Sequence, residues 1–69
     1  MKYHIQKQIL IGGDTEGWRT MSGNIADFEH AWLLYIAYCA VLENSRYQFI
    51  KEDDDGVFYI ISKHSNKIL

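Results

Sequence analysis

The sequence predicts an α+β fold of order β-β-α-β-β, a four-stranded antiparallel sheet with one helix packed across one face. Three observations point there. Tyr3 to Ile11 alternates polar and apolar residues with period two. Residues 28–43 run without glycine or proline and carry apolar residues at helical spacing. Two short segments rich in aromatic and β-branched residues, Arg46–Ile50 and Val57–Ile61, flank an Asp-Gly turn signal.

The elements follow in order as one domain, 1–69. The first strand is expected over about 3–11. Tyr3, Ile5, Ile9 and Ile11 share one face with Lys7 as the exception, and His4, Gln6 and Gln8 share the other. Gly12, Gly13, Asp14, Thr15, Glu16 and Gly17 then form a polar bend. A short second strand, about 18–21, closes the hairpin, and Ser22-Gly-Asn24 is expected to break it. The helix is expected over about 27–43. Asp27 is its N-cap, with Asn24 as the alternative, and Asn44 is a left-handed stop. The last two strands are expected over about 46–52 and 57–63, joined by Asp53-Asp-Asp-Gly56.

Composition narrows the function classes. A chain of 69 residues buries only roughly 60% of its extended surface, so it needs some reinforcement. The single cysteine, Cys39, excludes an intrachain disulfide and fits a reducing, cytoplasmic setting. His4, His30 and His64 are scattered and lack the paired spacing of a closed zinc site, so no metal or cofactor is expected. The reinforcement left is self-association or a larger partner. The formal net charge of −2 and the dispersed basic residues argue against direct nucleic-acid binding. The start lacks a secretory core, and the longest uncharged apolar run, Ala31–Leu42, is too short to span a bilayer.

Candidate chemistry is sparse. Ile11-Gly-Gly-Asp-Thr-Glu-Gly-Trp18 has glycines enough for a phosphate loop. Its spacing matches neither nucleotide fingerprint, a strand follows instead of a helix, and Asp14 and Glu16 would repel an anion, so it reads as a bend. Glu52, Asp53, Asp54 and Asp55 place four carboxylates in a row without the length or distal glutamate of a calcium loop. They read either as a solvated turn that discourages edge aggregation or as an acidic surface for a basic groove. Cys39 falls mid-helix among apolar residues, where a thiol is inert. No catalytic constellation is expected, and the chain reads as a non-enzyme.

The helix is more informative. Phe28, Ala31, Tyr35, Tyr38 and Leu42 form a stripe for the sheet, with Cys39 and Trp32 at its margins. Leu33, Ile36, Ala37 and Ala40 form a second apolar stripe that one sheet cannot cover. The sheet also has two faces: Val57, Tyr59 and Ile61 lie on one side of the last strand, and Phe58 and Ile60 on the other.

The layout of a hairpin with Trp18, a helix opening Asp27-Phe-Glu-His-Ala31 and a strand opening Arg46-Tyr-Gln-Phe-Ile50 resembles small phage and mobile-element proteins, a group that includes some anti-CRISPR inhibitors. The resemblance covers most of the chain but transfers no functional residue. It implies a non-enzymatic blocker of a host defence complex, acting in the cytoplasm of a bacterial host. On that reading Glu52, Asp53, Asp54 and Asp55, then Asp14 and Glu16, engage a basic groove of a nucleic-acid-binding partner. The alternatives are a homodimer pairing through Leu33, Ile36, Ala37 and Ala40, and a single-strand binder using Phe58 on the outer sheet face.

Overall fold

The computed structural model describes residues 1–11, 15–41 and 45–66, with the side chains of residues 10, 11, 15, 16, 45, 65 and 66 left aside. It has the expected α+β layout. The elements are β1 (Lys2–Ile11), β2 (Thr15–Ile25), α1 (Phe28–Cys39), β3 (Ser45–Glu52) and β4 (Phe58–Asn66). They form one antiparallel sheet of order β2-β1-β3-β4. β2 and β3 therefore run parallel, and α1 carries the chain over β1 between them. The two-layer body measures 37 × 26 × 15 Å.

Alternation assigns the faces. Tyr3, Ile5, Tyr47 and Phe49 point toward α1, since Ile5 pairs with Phe49 and Tyr3 with Lys51. Phe49 is fully buried and forms the hub of an aromatic cluster. Its ring stacks on Tyr3 at 5.6 Å and meets Trp32 at 5.6 Å, Tyr35 at 5.4 Å and Phe28 at 5.9 Å. Aromatic pairs at such separations add to the gain from burial. Ala31 supplies the small, fully buried contact that lets α1 approach the sheet.

Asp27 caps α1 as expected: its backbone is extended and its carboxylate accepts the His30 N–H at 2.9 Å. The helix is shorter than the sequence suggested. It ends at Cys39, with Ala40 as C-cap and the Val41 N–H donating to the Tyr38 carbonyl at 3.2 Å. The expected stop at Asn44 and the stripe position Leu42 lie outside the described residues.

β2 is the largest departure. It was expected over about 18–21 and to break at Ser22-Gly-Asn24, yet it runs from Thr15 to Ile25. The extra residues are absorbed by bulges against β1, at the register shifts Tyr3/Ile5 and Ile5/Gln6. Asn24 takes a left-handed φ of 56°, a conformation asparagine tolerates. Its N–H donates to His4 Nδ1 at 3.2 Å. Ile25 then packs on the core. At the other end, Thr15, Glu16 and Gly17 pair with Ile11, Leu10 and Ile9, so the strand takes in half of the expected bend; Gly12, Gly13 and Asp14 lie outside the described residues.

Candidate interaction surfaces

The acidic segment is built as a turn. The Asp53 N–H donates to the Val57 carbonyl at 3.0 Å and the Gly56 N–H to the Asp53 carbonyl at 3.1 Å. Gly56 has φ 79°, the left-handed residue such a loop requires. The Asp53 carboxylate accepts the N–H groups of Val57 and Asp55, both at 2.9 Å, and the Tyr59 hydroxyl at 3.3 Å. The Val57 N–H, followed by the Asp55 N–H, the Tyr59 hydroxyl and the nearby Lys51 charge, holds its pKa below the usual carboxylate range.

The four acids therefore differ. Asp53 organises the turn. Glu52 reaches His4, with Nε2 to Oε1 at 2.9 Å, and both are partly buried. Because His4 Nδ1 accepts the Asn24 N–H, the neutral ring carries its proton on Nε2 and donates it to Glu52. The Asp54 carboxylate accepts a hydrogen bond from the Met1 amino group at 2.9 Å. Asp54 and Asp55 are exposed at the tip. Only these two face solvent as a partner-facing acid would; Glu52 and Asp53 are drawn into the fold. Asp14 lies outside the described residues; for Glu16 only its place in β2 is described. The structure does not bring Asp14 and Glu16 into one described surface with the turn: Glu16 sits at the far end of β1, opposite Leu10, while Glu52 sits opposite Lys2.

On α1, Leu33 is 66% exposed, and Ile36, Ala37 and Ala40 are exposed with it. Val41, just past the C-cap, is exposed as well. Tyr38 is held on the other side, its hydroxyl 3.0 Å from the Ser22 hydroxyl, and the Tyr35 hydroxyl lies 3.1 Å from that of Ser62. Burial pushes both the Tyr35 phenol and the Cys39 thiol up. A thiol so shifted is mostly protonated at neutral pH and a poor nucleophile.

The outer sheet face has two parts. At one end, Gln8, Trp18, Arg46 and Lys63 line an open depression of about 270 Å³, which also borders Tyr47 and His64 from the helix-facing rows of β3 and β4. Arg46 donates to Gln8 at 3.3 Å, and Gln48 donates to Gln6 at 2.6 Å in the centre of the face. Toward the acidic turn, Phe58 and Ile60 are exposed, and the Phe58 ring lies 6.0 Å from that of His4.

β4 itself is the feature sequence alternation did not resolve. Phe49 pairs with Ser62 but Ile50 with Ile60, leaving Ile61 as the extra residue of a bulge. Ser62 thus falls on the helix side, and Val57 to Ile61 all remain exposed, at 43–61%. The signal was present as an unbroken apolar run, yet its exposure depends on where α1 sits, over β1 and β3.

Among the described residues, no group of three or more His, Cys, Asp or Glu side chains is placed to hold a metal ion, and no helix is long and apolar enough to cross a membrane. No family model matches the chain, and neither a curated protein nor a solved structure matches it.

Proposed function

We propose that the chain is a non-enzymatic protein-interaction module that meets a partner through the outer face of α1. The observation that carries this reading is the exposed stripe Leu33, Ile36, Ala37 and Ala40 on a helix whose opposite side is already committed to the sheet. The acidic tip of Asp54 and Asp55 stands at the same end of the sheet as the helix N-terminus and would speed approach to a basic surface. Its most specific form is a phage-encoded, anti-CRISPR-like inhibitor that sterically blocks a nucleic-acid-binding host defence complex. The test is capture from bacterial lysate on immobilised protein, followed by direct binding of the purified partner. The same polypeptide should be retained by the wild type and lost by Leu33→Asp, with binding weakened by salt. Equal retention by Leu33→Asp would remove the helix face from the reading.

The cationic depression with Trp18 supports a second reading, binding of single-stranded nucleic acid on the outer sheet face. Titration of a short oligonucleotide at low salt should then quench tryptophan fluorescence and be weakened by Phe58→Ala and Arg46→Ala. An unchanged spectrum would dismiss it.

A further inference from the structure

We propose that β4 is a self-recognition edge, along which two copies of this chain pair antiparallel, about a two-fold axis at Tyr59, into one continuous eight-stranded sheet. The proposal extends the interaction-module reading to a surface separate from Leu33 and Ile36, and it stands or falls independently of that reading.

An edge strand offers a row of backbone donors and acceptors, and proteins usually blunt it with charge, proline or brevity. β4 is nine residues long, has no proline and pairs with β3 on one side. Its first half, with Val57 before it, is uncharged, apolar but for the Tyr59 hydroxyl, and exposed on both faces. The backbone direction also fits. Because the Asp53 N–H donates to the Val57 carbonyl, antiparallel alternation turns the N–H and C=O of Tyr59 toward β3 and those of Phe58 and Ile60 outward.

The strand is complementary to itself in one register. With Tyr59 opposite Tyr59, Phe58 faces Ile60 of the second copy and Val57 comes near Ile61, so apolar residues meet apolar residues. The outward groups of Phe58 and Ile60 form reciprocal backbone hydrogen bonds on either side of the axis. Beyond the paired segment, the two-fold brings the exposed Lys63 of each copy toward the acidic turn of the other, where Asp55 is exposed. The bulge at Ile61 lies outside the Phe58–Ile60 centre of this pairing. The helix stripe has no such charge complement, which is why the second copy is assigned to β4.

The experiment is light scattering behind size exclusion over about a tenfold concentration range. The mass should climb toward about 16 kDa, twice the 8.1 kDa of one chain. Lys63→Asp and Asp55→Lys should each raise the self-dissociation constant by about tenfold or more, because each sets like charges opposite one another. An equimolar mixture of the two variants should recover wild-type association as a heterodimer, in which both charge pairs are again opposite. Ile60→Pro, which removes an outward donor, should give a monomer. Should that variant fail to fold, the two surface variants still decide. A wild-type mass of 8.1 kDa throughout overturns the proposal. A dimer insensitive to both charge variants but split by Leu33→Asp also overturns it, in favour of pairing through α1.

Discussion

The two edges of the sheet meet water in opposite ways. β2 is bulged twice, carries Gly17 and Gly23, and places Asn24 in a left-handed conformation. Its irregular end is fastened inward by Asn24 to His4, by Ser22 to Tyr38, and by Ile25 on the core. β4 has one bulge, and from Phe58 to Ile61 its side chains are apolar and exposed. Edge irregularity of the first kind discourages pairing with another chain; an apolar strand of the second kind invites it. The same domain thus has one edge fastened at its irregular end by its own side chains and one whose first half is exposed.

Both edges depend on the central strands, so the largest expected effect comes from there. Phe49→Ala removes the hub of the aromatic cluster and should cost about 3–5 kcal/mol. Chemical denaturation would measure it, and hydrogen exchange should show β2 and β4 losing protection together; loss confined to β4 would mean the edges are held separately.

Gly23→Ala probes the closed edge. A Cβ there would lie 2.9 Å from His4 Nδ1 and 3.0 Å from Thr20 Cγ2, and His4 is already held by Asn24 and Glu52. The substitution should destabilise by about 1–3 kcal/mol. A neutral result would show that the bulge can shift and that β2 is not fastened as described. Ser22→Ala, which takes the hydroxyl partner from Tyr38, should cost about 1 kcal/mol on the same denaturation scale.

The smallest effects belong to the turn that opens β4. Asp53→Ala should lower the melting temperature, whereas Asp55→Ala should leave it nearly unchanged, because only Asp53 accepts the hydrogen bonds that shape the turn. The folded-state pKa of Asp53 is depressed. Its stabilisation is therefore present above the unfolded carboxylate value of about 4 and is lost as pH falls through the lower folded value. Carboxyl NMR should place its titration below the usual carboxylate range, and wild type and Asp53→Ala should converge in stability at the acid end.

Much of this was legible in the residues themselves. Alternation from Tyr3 to Ile11 fixed which side of β1 is apolar, Asp27 marked the helix start, and Gly56 marked the last turn, because backbone preference and local side-chain capping act over a few residues. The second stripe on α1 was equally visible, since winding Leu33, Ile36, Ala37 and Ala40 at helical pitch needs no tertiary information. The proposed partner acids were legible as a cluster but not as individuals. Sequence adjacency could not say that Glu52 would turn to His4 or that Asp53 would fold back on its own turn.

What the sequence determined by itself is the order and type of the elements and the apolar side of most of them, through periodicity and capping that depend only on neighbours in the chain. What only the tertiary structure decided is the strand order β2-β1-β3-β4, the passage of β2 through Ser22-Gly-Asn24, and the exposure of β4 on both faces. Each of these rests on contacts between residues far apart in the chain. His4 stabilises the Asn24 bulge from the neighbouring strand. The aromatic cluster around Phe49 seats α1 over the two central strands, and a single helix placed there cannot also cover the edge.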